Sequence, residues 1–555
     1  MVCLLPTLAD FLQNRFEVRV QDLVLPVALD LLLAVVIVAA LRRLYRRHQL
    51  AGLVAGCLTA AVVSNGFESR LQASYSLISA LMPIPGLAGS LQGFVFSIVF
   101  FGLAAGLAAL AASWLGRLVR RRNWSEAEFA RAVVIAITVV FLLVLAPVGR
   151  ALAVAWPQFF YRPPSLTIGQ AEAKPDIYYI VLDRYASQSV LKDQFNFDNS
   201  DFIQYLEANG YVTNPESHNN YPYTTMSIAS TLSANYLSDV ISKFNTSSQQ
   251  TVAPYHATVR SSPVIQALKS KGYTYNLVGN WYETSNQSPL ADHTYQEEGR
   301  LTIFGHTVTL DNFSKNELND GAFARLSQLR LHVGGFGLFQ YSGQVGADQS
   351  LYQLKILKQL AAQPSTGGHF TFAHILVPHD PYYFNADGSL ATTPGNDNNG
   401  QPIKQKYVGQ VKFINDQIKT ILDQINQTSH GQAVVVLQAD EGPYPIQLNN
   451  QNFDQDSADS EINGVDMRTW SDLDLKMKFG NLAAYHVPAA SAEDLAKADD
   501  PVNIFRLVLN SYFSGQYPYL PLCSYAYPNG RAKPFVYADI TQRLTGQPSP
   551  GCGGG

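Results

Sequence analysis

The chain has 555 residues, 39 lysines and arginines against 43 aspartates and glutamates, and a mean hydropathy of −0.01. Such a length exceeds one ordinary core, so two or more domains are expected. A net charge of −4, with no basic stripe beyond the apolar N-terminal part, excludes a nucleic-acid partner, and four cysteines, none at metal-site spacing, exclude a zinc-finger-type site.

The average hydropathy hides a division, because apolar residues concentrate before residue 160 and polar ones after Lys174. Leu23–Leu41, Gly93–Leu115 and Ala132–Val154 are long and apolar enough to span a bilayer, and Leu50–Asn65 lies near the lower limit. Arg42, Arg43, Arg46 and Arg47 follow the first segment, and Arg117, Arg120, Arg121 and Arg122 follow the third. Basic residues collect in cytoplasmic loops, so both clusters are expected inside, joined by an out-and-back pair of crossings. Tyr75–Leu91, with Met82-Pro-Ile-Pro-Gly86, reads as an external or re-entrant helix. The last span then exits outward, and everything after Trp156 faces the exterior. Met1–Glu17 lacks the basic start and apolar stretch of a cleavable signal peptide. The plainer alternative is one signal anchor followed by buried soluble helices. Residues 1–160 are therefore expected to form a helical membrane domain of about four spans, and 161–174, opened by Pro163-Pro164, a linker.

In the polar part, strand patterns at Ile177–Leu182, Tyr273–Val278, Phe370–Val377, Ala433–Leu437 and Leu482–Val487 alternate with helical ones. The helical patterns lie near Phe202–Asn209 and from about Val408 to Ile425. Such alternation predicts an α/β domain with a mostly parallel sheet between helices over 175–530, followed by a tail at 531–555. Asn385-Ala-Asp-Gly388 and Pro394–Gly400 mark exposed turns. Gln451–Ser471 reads as a surface insertion or a mobile lid. Cys523 and Cys552 can pair if the domain lies in an oxidising compartment.

Two strand patterns end in carboxylates, Asp183 after Ile177–Leu182 and Asp440-Glu441-Gly442 after Val434–Gln438. Ligands collect outside the carboxyl ends of strands in open α/β sheets, so two such acids can share a cation. Between them, Asn219-Asn-Tyr-Pro-Tyr-Thr224-Thr225-Met-Ser227 opens a helical pattern after Pro222. A hydroxyl at a helix start sits among outward-pointing N–H groups, which suits a phosphate or sulfate, although Thr224 can equally be a plain N-cap. Beside two acid-tipped strands it becomes a candidate nucleophile activated by a metal.

In this order, strand–Asp, Asn-Tyr-x-x-Thr-x-x-Ser, His374-Ile-Leu-Val-Pro-His379-Asp-Pro381 and strand–Asp-x-Gly resemble the alkaline phosphatase superfamily. The likeness is to its sulfatase-like branch of membrane-bound transferases, similar to lipoteichoic acid synthases and lipid A phosphoethanolamine transferases, over roughly Pro175 to Pro521. The resemblance implies Asp183, Thr224, Asp440 and Glu441 as metal ligands, with Thr224 the nucleophile that forms a phospho-intermediate. It gives His379 a catalytic role at the substrate phosphate. His374, Asp380, Ser227 and Asn220 are candidates for binding substrate, and Arg184 and His486 for supporting the site from behind. Glu441 departs from the family, which usually has histidine there. The resulting all-oxygen set favours one divalent ion, Mn²⁺ or Mg²⁺ first, with Ca²⁺ or Zn²⁺ also able to bind.

The implied protein sits in a bacterial cytoplasmic (inner) membrane as a multi-pass enzyme with a periplasmic or extracellular catalytic domain. It takes a head group from an anionic or zwitterionic phospholipid and gives it to an envelope glycan or lipid acceptor. A phosphodiesterase or phosphatase using the same residues is the nearer alternative, and a glycan-binding pseudoenzyme the further one. A formylglycine sulfatase is disfavoured, because no Cys/Ser-x-Pro-x-Arg string occurs. Aromatics around Tyr221-Pro-Tyr223 and Tyr382-Tyr-Phe384 serve either as substrate walls or as packing.

Overall fold

The computed structural model describes residues 23–44, 157–158, 160–170, 173–246, 252–296, 347–364, 367–391, 403–445, 466–527, 535–547 and 551–552, with isolated positions before 140 and short stretches between 299 and 342. The chain forms two compact units, one of residues 1–152 and 298–344, the other of 153–297 and 345–555. In the first unit, the initial apolar segment is a 21-residue helix, Val24–Leu44. Antiparallel strands Gly299–Ile303, His306–Leu310 and Phe339–Ser342 form a small sheet there. Among the described residues no helix is long and apolar enough to cross a membrane. The expected spans Leu50–Asn65, Gly93–Leu115 and Ala132–Val154 fall wholly or largely outside the described residues, as do Tyr75–Leu91, Pro394–Gly400 and most of Gln451–Ser471.

The second unit is built on a seven-stranded sheet. Its strands are β1 (Ile177–Leu182), β2 (Val212–Thr213), β3 (Thr274–Val278), β4 (His293–Tyr295), β5 (His369–Ile375), β6 (Val434–Gln438) and β7 (Ala483–His486). They lie in the order β2-β7-β6-β1-β5-β3-β4. The five strands from β6 to β4 run parallel; at the β6 edge β7 pairs antiparallel with β6, and β2 pairs antiparallel with β7. β1 reads as an unbroken apolar run because both its faces are covered, the pattern of a central parallel strand. Ile177, Tyr179 and Val181 join one core, with Val434, Val436, Phe370 and the helix Thr224–Ser233. Tyr178, Ile180 and Leu182 join the other, with Val435, Leu437 and the long helix Ile403–Ser429.

The predicted helices appear as Ser200–Ala208 and Ile403–Ser429. Cys523 and Cys552 are bonded, with their Cα atoms 5.7 Å apart. Phe535, Tyr537 and Ile540, placed by the sequence in a tail, are buried in the first core. Around Tyr221 and Tyr223 the aromatics form a packed cluster, with ring centroids 5.2–5.6 Å from Tyr525, Tyr527 and Tyr537. Packing accounts for both rings, which are buried.

Candidate metal centre

Strand register brings the key side chains together. The pairing that sets Ile177 opposite Val434 and Val181 opposite Gln438, continued two residues further, sets Asp183 opposite Asp440. On the other side of β1, Val181 pairs with His374 of β5. Side chains alternate along a strand, so Val181, His374, Asp183 and Asp440 project to one face. That face carries the helix Thr224–Ser233. The result is a buried cluster of Asp183, His374 and Asp440 whose ligand atoms lie within 4.8 Å of one another.

The turn after β1 is shaped for this arrangement. Arg184 takes a left-handed conformation, φ 58°, uncommon for a residue with a side chain. Its backbone N–H donates to Asp440 Oδ1 at 3.2 Å, and its carbonyl accepts the Tyr407 hydroxyl at 2.8 Å. Its guanidinium donates through Nε to Glu441 Oε1 at 3.0 Å and through Nη1 to Asp380 Oδ1 at 2.9 Å. Gly442 then allows the chain to pass beneath residues 477–480. Its N–H donates to the Lys478 carbonyl at 2.9 Å, and a Cβ there would collide with the carbonyl oxygens of Met477 and Gly480.

Thr224 is the first residue of its helix; Tyr223 occupies the N-cap position, and no side-chain capping bond is made. The plain N-cap role is therefore not the one Thr224 fills. Its side chain is 7% exposed and lies against Asp440, favouring the ionised carboxylate. Helix N–H groups point outward at this end, where the helix dipole is positive.

His374 is fully buried, and its ring is clamped. Nδ1 lies 2.8 Å from Ser285 Oγ, and Ser285 donates its own proton to Asn280 Oδ1 at 3.1 Å. Ser285 must then accept from His374 Nδ1–H, which leaves the Nε2 lone pair facing the cluster. Nε2 lies 3.3 Å from Asp183 Oδ2. Asn280 and Gln353 hold the His374 carbonyl at 2.8 and 2.6 Å.

The electrostatics are those of a site short of positive charge. Burial, then Asp183 and Glu441, push the Asp440 carboxyl up to about 7. Burial also presses Asp183 upward, but His379, His374 and Arg184 outweigh it and hold that carboxyl below the usual range. Burial lowers the His374 pKa, yet the neighbouring Asp183 carboxylate and the charges of Asp440 and Glu441 leave it raised. Asp183 Oδ1, His374 Nε2 and Asp440 Oδ2 are buried without a hydrogen-bond partner. Three orphaned donor atoms of metal-ligand type, one from each residue of a single cluster, fit a divalent cation. The nitrogen makes the cluster Asp/His/Asp, where the sequence reading expected oxygen donors alone.

Other expected site residues are placed as follows. Glu441 is buried beside the cluster, but its Oε1 is engaged by Arg184 and by Lys478 Nζ at 2.9 Å. His379 stands close enough to stabilise ionised Asp183, its Nδ1 3.3 Å from Asp380 Oδ1 and its ring between two cis X–Pro bonds. Arg184, His379 and Asp380 line a small cleft with Tyr407 and Tyr444. Ser227 lies one turn beyond Thr224, its buried hydroxyl without a partner. Asn220 donates to Asp500 and to the Cys523 carbonyl, both at 2.9 Å. His486 pairs with Val435 near the start of β6, at the far end of that strand from Asp440, and its Nδ1 is 3.0 Å from the Ala433 carbonyl. Asn280 and Ser285, from one loop after β3, and Lys478, from the last turn of the helix Asp472–Phe479, had no sequence signal.

Comparison with known proteins places this geometry in a family. No curated protein matches the chain. Among solved structures it is similar to the C-terminal periplasmic domain of EcEptC from Escherichia coli in complex with Zn, with 10% identity, 70% of this chain and 100% of that one covered, and a TM-score of 0.40. It is similar to Ps i-CgsB, with 14% identity, 64% and 80% coverage and a TM-score of 0.35. It is also similar to BT1596, a 2-O GAG sulfatase, with 11% identity, 64% and 78% coverage and a TM-score of 0.37. The sulfatase family model matches residues 175–476, more than half of the chain, from β1 past Gly442. The chain belongs to the sulfatase family.

Proposed function

We propose that this chain is a membrane-anchored, metal-dependent phosphotransferase that moves a phospholipid head group, of phosphoglycerol or phosphoethanolamine type, to an envelope glycan or lipid acceptor. The observation that carries the reading is the Thr224 hydroxyl, uncapped at a helix start and set against Asp440 in the Asp183/His374/Asp440 cluster. A sulfatase family member without a Cys/Ser-x-Pro-x-Arg string lacks the formylglycine route, and a threonine is the nucleophile left at this place.

Asp183, His374 and Asp440, with Thr224, would hold a divalent cation. Such an ion, when bound, lowers the pKa of the threonine hydroxyl and offsets charge on phosphate oxygens. Thr224 Oγ1 attacks phosphorus of the lipid phosphodiester; an O–P bond forms to threonine, the P–O bond to the lipid glycerol breaks, and the departing diacylglycerol takes a proton. His379, beside the cleft, is placed to supply it. A second hydroxyl then displaces threonine from phosphorus. With an acceptor alcohol the result is transfer, with water it is hydrolysis. Arg184 fixes the Asp440 carboxylate through its backbone and faces the cleft where an anionic group would lie.

The apolar segments before residue 160 support an anchor that keeps the site near a lipid donor, and the Cys523–Cys552 bond suits an oxidising compartment outside the cytoplasmic membrane. The test is incubation of the full chain with phospholipid vesicles and a divalent ion, following diacylglycerol by chromatography. Release that stops in Thr224→Ala supports the reading; hydrolysis of sulfate esters with no diacylglycerol contradicts it.

A further inference from the structure

We propose that Glu441, instead of binding the metal, anchors a buried cation, Lys478, that positions the nucleophilic threonine. The inference rests on the reading of Thr224 above and adds what the Asp-Glu-Gly sequence does. One oxygen of Glu441, Oε1, takes both Arg184 Nε at 3.0 Å and Lys478 Nζ at 2.9 Å. The side chain of Lys478 has no exposed surface. A buried ammonium needs a partner, and among the described residues Glu441 is the carboxylate within ion-pair reach. Glu441 Oε2 is buried without a hydrogen-bond partner, yet two cations share the charge of its carboxylate and weaken it as a ligand, while His374 on the neighbouring strand already brings a nitrogen donor into the cluster.

Lys478 also lies over two aromatic faces, 5.3 Å from the Tyr223 centroid and 5.3 Å from that of Tyr444. Tyr223 is the residue immediately before Thr224, at the N-cap of its helix. A continuous line of contacts therefore runs from the metal motif through Glu441 and Lys478 to Tyr223, and so to the backbone that carries the nucleophile. Gly442, which admits residues 477–480 against the motif, makes this approach possible. Lys478 is thus a positioning residue: it meets the metal motif through Glu441 and the start of the nucleophile's helix through Tyr223.

Metal content after loading with Mn²⁺ or Zn²⁺ and desalting is the first readout. Glu441→Gln should keep wild-type metal content, whereas His374→Asn should lose it. Glu441→Gln leaves Lys478 buried without its countercharge, so if that variant does not fold, Glu441→Gln/Lys478→Met, which carries neither charge, is measured in its place. The double variant should melt closer to wild type than either single one. The second readout is phospholipid turnover. Lys478→Met should lower kcat by about tenfold or more with KM within about twofold, and Lys478→Arg, which keeps charge and ring contact, should recover most of kcat. Loss of metal in Glu441→Gln or in the double variant, retention in His374→Asn, or an unchanged kcat in Lys478→Met each overturns the inference. If the wild-type chain turns over no phospholipid, the proposed function fails, while metal content and melting still judge the anchoring role.

Discussion

Ser285→Ala tests the metal centre from one step behind it. Ser285 Oγ is 2.8 Å from His374 Nδ1 and fixes the tautomer that turns Nε2 toward the cluster. Without it a buried N–H loses its acceptor, at a cost of about 1–3 kcal/mol. Asn280 remains, but its Nδ2 is 3.3 Å from Nδ1 and a donor, so it cannot replace the lost acceptor. Removing the partner of a metal-binding histidine typically lowers affinity by about 10–100-fold, or roughly 1.4–2.8 kcal/mol. The site is otherwise undisturbed, since Asn280 and Gln353 still hold the His374 backbone. The expected loss is therefore about tenfold, toward the lower end of that range. Titration of metal-stripped protein with Mn²⁺ or Zn²⁺ against a competing chelator at pH 8 measures it, with Ser227→Ala as a control that leaves His374 alone. Unchanged affinity in Ser285→Ala would refute the assignment of His374 as a ligand.

Further outcomes follow from the same geometry. Gly442→Ala should destabilise the protein by about 2–3 kcal/mol, because the new methyl meets carbonyl oxygens on a neighbouring segment, and urea denaturation would show it. Asp500 is buried, and burial pushes its carboxyl up to about 7. The folded state therefore binds that proton more tightly than the unfolded chain, and stability falls as pH rises from the ordinary carboxylate range to about 7. Asp500→Asn keeps a side chain able to cap the helix Pro501–Phe513, so it should raise the melting temperature at pH 8 and leave it nearly unchanged at pH 4. For the metal the direction is opposite: protonated Asp440 cannot ligate, so affinity should drop by about tenfold per pH unit below 7 in the same chelator titration.

Much of the second unit was legible because its central strands announce themselves. Ile177–Leu182 and Val434–Leu437 are apolar on both faces, and an aspartate follows each strand at its carboxyl end. The outer strands carry no such signal: Val212–Thr213 is two residues long, and His293–Tyr295 is polar and mostly exposed. Register was the missing quantity at the site. Only when β5 is known to lie beside β1, with His374 opposite Val181, does a histidine inside a strand become a partner of Asp183 and not a neighbour of His379. Glu441 adjoins the ligand Asp440, and successive residues leaving a strand point apart. Its partner Lys478 lies at the end of a distant helix, Asp472–Phe479, where a lysine in a last turn reads as surface. Chain contiguity could not show that Gly442 presses this helix end against the motif.

The proposed reaction stands or falls on a covalent bond between Thr224 and phosphorus at the Asp183/His374/Asp440 cluster. The most direct measurement is mass spectrometry of the peptide bearing Thr224 after brief incubation of the metal-loaded chain with phospholipid and no acceptor. A phosphoryl-linked head group is expected on Thr224 and absent in Asp440→Asn. An unmodified Thr224 while diacylglycerol is being released would contradict it.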